Sequence, residues 1–368
     1  MPTALLLTIL LFVTPGLRPQ DEITARFNRA VELQRQGSWK EAAEEYRALL
    51  AIAPNYAEAQ ANLGAVLSRL EKYEEAIAAY DSALRLNPAL TPILLNLGIA
   101  HYRAGQFAKA VEVLERFLAI APDHLQARRL IGLSLVELER DEEAITYLEP
   151  TLSASTDEVT VLYSLGTAYL RQHRPELAGL IQRLAARPEG APLARLLQGQ
   201  EQLEGLEFEK AAGNLEAAAK AAPDLPRVQF LLGLAYFKLG NSEQAKGAFE
   251  RELRRTPGDF LTLYYLASLL EKEGALSEAR RQIEAALKQE PRSAEAGALL
   301  GGILLKQGQA AEAVRVLEPV VARQPDNSQT RYLLARSYQK LGRKQEAARE
   351  FAEVERLKAR ALEREKKP

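Results

Sequence analysis

The chain has 368 residues, 47% hydrophobic and 26% charged, which supplies ample apolar surface for burial and excludes a disordered chain. Its 48 Lys and Arg against 49 Asp and Glu leave a net charge of -1, which argues against a general nucleic-acid binder, since that needs a net basic surface. There is no cysteine, so disulfides, thiolate catalysis, Cys-ligated zinc and a lipid-modified N-terminal cysteine are excluded.

The first element in chain order is apolar. Residues 4–13 form an unbroken hydrophobic run apart from Thr8, and Thr14, Pro15 and Gly16 close it before polar sequence begins. A short apolar core ending in helix breakers and small residues has the form of a secretory signal peptide. The expectation is that residues 1–16 are such a signal, cleaved after Gly16, and that the protein is secreted or periplasmic. No Lys or Arg precedes the run, which departs from the usual signal. The rival is an uncleaved N-terminal anchor, and membrane contact is expected only in that case. A span needs about 20 apolar residues, and Pro15-Gly16 cuts this one short.

Beyond that segment the chain repeats. Pro54, Pro88 and Pro122 stand 34 residues apart, as do Pro223, Pro257, Pro291 and Pro325. Ala42, Ala76, Ala110, Ala144 and Ala178 step by 34; one step of 33 reaches Ala211, and Ala245, Ala279, Ala313 and Ala347 resume at 34. Twelve residues ahead of the alanines, Ala30, Gly64, Gly98, Gly132 and Gly166 keep the same step, and Gly199, Gly233, Ala267, Gly301 and Ala335 continue it. A 34-residue period holds two helices of about a dozen residues, with small residues where they cross. A larger side chain there would overpack by roughly 1–3 kcal/mol. Glycines such as Gly37, Gly105 and Gly240 suit the left-handed turn between the helices. The missing residue is expected in residues 187–192, read as a joint between repeats 1–5 (residues 23–191) and repeats 6–10 (residues 192–361). Pro150 and Pro319 fall inside second helices and are expected to kink them. Residues 350–368 are charged on nearly every side and read as a capping helix that frays into a tail, residues 362–368.

The motif Leu63-Gly64, Leu67, Ala76, Tyr80, Pro88 and its later copy Leu232-Gly233, Tyr236, Ala245, Phe249, Pro257 resemble the tetratricopeptide repeat. The resemblance covers ten copies and implies an all-α, right-handed superhelical solenoid of about ten helix-turn-helix repeats. It also implies a non-enzymatic scaffold for protein–protein interaction, with a partner segment in the groove lined by first helices. The alternative is a cell-envelope assembly or export adaptor that uses its ends or convex face.

Catalytic motifs are missing: the sequence holds no phosphate-binding loop, paired-histidine zinc motif, nucleophile elbow or calcium loop, and no cofactor or metal site is expected. His101, His124 and His173 are scattered and read as helix-surface or inter-helix residues. Two columns on the first helices stand out instead. Asn28, Asn62 and Asn96 recur at the 34-residue step, and seven residues after each comes Arg35, Arg69 or Arg103. Seven residues is two turns, so each pair shares a face. Asparagine can pair with a peptide backbone, and Arg or Lys with carboxylates. The same columns are commonly filled this way in tetratricopeptide repeats, so they also read as consensus residues. The basic column continues through Arg171, Lys238, Lys272, Lys306 and Lys340, with Glu137 and Glu204 interrupting it. Later copies carry Tyr163, Phe230, Tyr264 and Tyr332 before the asparagine position; these are candidate groove aromatics or crevice fillers. The carboxylate clamp of chaperone-binding relatives wants Lys and Asn where this chain has Phe27 and Val31.

Overall fold

The computed structural model describes residues 19–152 and 159–365, so the expected signal, residues 1–16, lies outside the described residues. Within them all regular elements are helical. Twenty α-helices follow one another in pairs: α1 (Pro19–Arg35) and α2 (Trp39–Ile52), α3 (Ala57–Arg69) and α4 (Tyr73–Leu86), α5 (Ile93–Arg103) and α6 (Phe107–Leu118), α7 (Leu125–Glu137) and α8 (Asp141–Leu148), α9 (Val159–Arg171) and α10 (Leu177–Ala185). The second half runs α11 (Ala191–Glu204) and α12 (Phe208–Ala221), α13 (Val228–Leu239) and α14 (Ser242–Arg255), α15 (Phe260–Lys272) and α16 (Leu276–Gln289), α17 (Ala294–Lys306) and α18 (Ala310–Arg323), α19 (Ser328–Lys340) and α20 (Lys344–Glu365). The chain divides into two compact units, Met1–Leu180 and Ile181–Pro368. The division falls inside α10, ahead of the 191/192 joint read from the sequence.

Every pair turns on one residue with positive φ. Six are glycines, among them Gly37 at 78° and Gly274 at 81°; the other four are Glu71 (59°), Glu139 (57°), His173 (50°) and Leu206 (60°). The ten share one register, so the turn geometry persists where glycine is absent. A side chain there meets the steric cost of the left-handed region, about 1–2 kcal/mol. Four first helices, α7, α15, α17 and α19, are capped by His124, Asp259, Ser293 and Asn327, whose side chains accept from the backbone N–H three residues on. At α13 the preceding residue, Arg227, is left-handed (φ 60°) and caps nothing. The buried carboxylate of Glu252 on α14 substitutes, accepting from the Phe230 N–H at 3.3 Å.

Within a pair the small residue of the first helix faces the side chain sixteen positions on most closely, with the alanine twelve on beside it at Gly132, where a Cβ would also lie 3.3 Å from the Ala144 carbonyl. A Cβ at Gly98, Gly199 or Gly301 would lie 2.5 Å from Cγ of Leu114, Leu215 or Leu317, and one at Gly233 would lie 2.6 Å from the Phe249 ring. All four partners are fully buried. In three repeats a tyrosine three residues after the small residue ties the pair to the previous one. Tyr169 donates to Glu149 Oε1 at 2.8 Å, Tyr338 to Glu318 Oε1 at 2.7 Å, and Tyr236 to Glu216.

The fifth pair corrects the alanine register. Ala178 is exposed, while Leu177, Leu180, Ile181 and Leu184 are buried. Leu177 therefore occupies the crossing position, 33 residues after Ala144 and 34 before Ala211. The left-handed residue His173 is still 34 after Glu139, so the missing residue lies between His173 and Leu177, beside Pro175, and not in residues 187–192. The two inserted prolines also differ. Pro150 ends its helix: α8 stops at Leu148 and passes into a 3₁₀ turn, Glu149–Thr151, because proline lacks the N–H that would continue it. Pro319 is held inside an α18 of full length. At the end of the chain α20 continues to Glu365, beyond residue 362 where the tail was expected.

Candidate functional site

The first unit has a cleft of about 660 Å³ against its first helices. Gln34 of α1, Ser68 and Arg69 of α3, Asn96 and Arg103 of α5 and Gln126 of α7 line it, and Trp39 and Tyr73 enter from the starts of α2 and α4. The cleft brings together Asn96, Arg69 and Arg103. Both guanidiniums are exposed, and neither has a hydrogen bond or ion pair among the described residues. Arg69 lies over the Trp39 ring at 6.0 Å, within cation–π range. Glu71 is the one acid in the lining, so the cleft carries unneutralised positive charge. Several arginines elsewhere are answered by carboxylates: Arg26 by Glu22 and Glu45, Arg47 by Glu75, Arg140 by Glu143, Arg331 by Glu350.

The other members of the two columns are placed differently. Asn28 and Arg35 are exposed on α1 outside the cleft lining. Asn62 is half-buried beside the Tyr46 hydroxyl, which donates to Gln34 Oε1 at 3.0 Å, so its amide belongs to a polar cluster inside the fold. Burial pushes the Tyr46 hydroxyl up to about 12.

Along the rest of the basic column, three side chains reach back to the preceding repeat. Arg171 donates to the Val136 carbonyl at 3.1 Å and pairs at 3.2 Å with Asp141, whose side chain is buried. Lys272 sits 4.3 Å above the Phe237 ring, and Lys306 pairs with Glu271 at 2.5 Å. Each touches the residue 35 positions earlier, so these cations join neighbouring repeats. Lys238 is exposed on α13.

The aromatic candidates separate. Phe230 is buried, packed on Phe249 and Tyr265 with ring centroids 6.3 and 6.0 Å away, and is a core residue rather than a groove residue. Tyr163 on α9 is half-buried, and burial raises its hydroxyl above the ordinary tyrosine range. Tyr264 lines a second cleft, of about 650 Å³, built in the second unit by α15, α17 and α19.

Sequence reasoning passed over Trp39, Gln34 and Gln126. A signal for the first was present: Trp39, Tyr73 and Phe107 recur at the 34-residue step, an aromatic column that fills the first three repeats and returns once, as Phe208, in the sixth. The histidines are structural. His101 is buried with Nδ1 2.9 Å from Gln106 Oε1, and His124 caps α7. Among the described residues no group of three His, Asp or Glu is placed to hold a metal ion.

The tetratricopeptide repeat family matches residues 63–131 in one form and residues 27–90, 196–260 and 230–294 in another. Residues 282–354 match the family described as anaphase-promoting complex, cyclosome, subunit 3. No curated protein matches the chain. Among solved structures, MamA 41-end from Desulfovibrio magneticus RS-1 is 24% identical, with 44% of this chain and 93% of that one covered and a TM-score of 0.41. A crystal structure of MamA protein is 17% identical over 47% and 94% of the two chains, with a TM-score of 0.43. An IFIT1 monomeric mutant with Gppp-AAAA is 14% identical over 91% and 90%, with a TM-score of 0.50, a likeness of fold alone. With its ten helix pairs and with matches recurring from residue 27 to residue 294, the chain belongs to the tetratricopeptide repeat family as an all-α solenoid protein.

Proposed function

We propose that this protein is a non-enzymatic scaffold, exported from the cytoplasm, that holds an extended acidic segment of a partner protein across the first helices of its first unit. Tetratricopeptide repeats support a protein-interaction role in general. The observation that carries the finer reading is the pair of unanswered guanidiniums, Arg69 and Arg103, one repeat apart in a cleft that also holds Asn96. In such a cleft a partner carboxylate makes charge-assisted hydrogen bonds, and the Asn96 amide can accept from and donate to the partner's backbone.

Trp39 is the sole tryptophan of the chain and lines this cleft, so its emission reports occupancy. An acetylated decapeptide alternating Glu and Ala should shift that emission saturably, and added salt should weaken the response through screening. Arg103→Glu should abolish the response, and Asn96→Ala should weaken binding by roughly 0.5–1.5 kcal/mol. An equal response to the matching Lys–Ala peptide would refute the reading. Export is tested separately: the mature protein recovered from its host should begin at Leu17, and an intact N-terminus in the membrane fraction would favour the anchor.

A further inference from the structure

The second unit's cleft has a chemistry of its own. Tyr264 of α15 and Tyr332 of α19 line it in the same register, and α17 between them contributes Ala298 and Gly302, one turn apart on one face. Leu299 and Leu333 add apolar surface. The volume over Gly302 is not a demand of packing. A Cβ there would meet only Leu333 Cδ1, at 3.8 Å, an ordinary contact, whereas at the neighbouring Gly301 it would collide with the buried Leu317. The helix tolerates a glycine that its own packing does not require.

The charges are graded along the cleft. Glu295 lies in the first turn of α17. At the other end Lys306 is matched by Glu271, but Lys340, its equivalent on α19, is exposed and has no hydrogen bond or ion pair among the described residues. Arg336 lies between, its Nη1 3.1 Å from the Tyr332 hydroxyl, to which it donates. Four helical residues separate the level of Gly302 from that of Lys306, a rise of about 6 Å. Two residues of an extended chain advance by about 6.6 Å and place both side chains on the same side.

We propose that this cleft binds an extended peptide segment that seats a large apolar side chain over Gly302, between Tyr264 and Tyr332, and sets a carboxylate two residues away on Lys340. The proposal rests on the reading of the first helices as the binding face, but it uses residues of the second unit alone.

The test uses the purified full chain and three dye-labelled pentapeptides, Ser-Phe-Ser-Glu-Ser, Ser-Phe-Ser-Lys-Ser and Ser-Ala-Ser-Glu-Ser, followed by fluorescence anisotropy. The Phe–Glu peptide should bind at least tenfold more tightly than either of the others. Gly302→Leu fills the space and should weaken that binding at least tenfold with helix content unchanged. Lys340→Glu, on an exposed side chain that leaves the fold alone, should reverse the preference toward the Lys peptide. Arg69→Glu with Arg103→Glu, in the first unit, should change nothing. Unaltered affinity in folded Gly302→Leu, equal affinity for the Glu and Lys peptides, or no binding of any peptide overturns the proposal and leaves the first-cleft reading standing. Binding that survives Gly302→Leu but is lost in the Arg69, Arg103 double variant also overturns it, and assigns the peptide to the first cleft.

Discussion

Gly301 and Gly302 are adjacent in α17, and the same added methyl should act on them in opposite directions. Both exchanges gain helix propensity, about 0.8–1.0 kcal/mol for glycine to alanine in a helix interior. At Gly302 nothing opposes the gain, because the new Cβ meets only Leu333 Cδ1 at 3.8 Å. Gly302→Ala should therefore stabilise by nearly that amount. At Gly301 the Cβ would lie 2.5 Å from Cγ of Leu317, which is fully buried and has no open side to retreat to. Overpacking of this kind costs about 1–3 kcal/mol, so Gly301→Ala should be neutral to about 2 kcal/mol destabilising. The propensity gain cancels between the two variants, and their difference, about 1–3 kcal/mol, isolates the helix crossing. Urea unfolding followed by circular dichroism measures it. Hydrogen exchange should localise the Gly301→Ala loss to α17 and α18 and their neighbours, since stability in such arrays is carried by adjoining repeats. Shifts of equal sign and size at the two positions would refute the assigned crossing.

Leu206 holds the left-handed turn position while 71% exposed, so Leu206→Gly removes the steric cost and little packing. After allowance for the greater freedom of an unfolded glycine it should stabilise the sixth pair by about 0.5–1 kcal/mol, and a lowered urea midpoint would count against this. The buried tyrosines predict an alkaline limit. Burial raises the Tyr46 hydroxyl from 10 to about 12, and burial with the Glu149 and Glu318 hydrogen bonds raises Tyr169 and Tyr338 as well. A raised folded value means that the stabilisation is complete below pH 10 and is lost as pH climbs from 10 toward 12; for Tyr46 it is on the order of 2 kcal/mol. The fall in melting temperature across that window should be shallower in Tyr46→Phe, and an unchanged slope would exclude Tyr46 as a contributor.

The repeat was legible because its markers are backbone constraints. Glycine, alanine and proline at a fixed step leave little choice but paired helices, and the turn register survives even where Glu71 or Leu206 replaces glycine. The fifth pair misled because two apolar residues, Leu177 and Ala178, are adjacent, and the step of 34 fell on the one that faces solvent. Periodicity alone cannot tell which of two neighbours a helix buries after a one-residue deletion. The first helices were legible as the elements that carry the two columns, but the cleft was not legible as a site. The asparagine and arginine columns lie on the first helices as expected, yet only Asn96, Arg69 and Arg103 meet in one cleft, because Asn62 is drawn into a cluster with Tyr46 and Gln34. Phe230 could not be placed from its column, since Tyr163 and Tyr264 at the same position stay half-buried while Phe230 is buried against Phe249 and Tyr265.

The backward reach of Arg171, Lys272 and Lys306 bears on how the protein would answer a pulling force. Each cation is anchored 35 residues upstream, so a repeat drawn off the carboxyl end of its unit must release its tether before the next helix pair comes under load. Extension should therefore proceed as a sawtooth of discrete ruptures. Each would free about 34 residues, roughly 120 Å of extended chain, and those at α15 and α17 would be held by a side chain as well as by packing. A protein built this way would lengthen stepwise under tension while the repeats still folded kept their clefts intact.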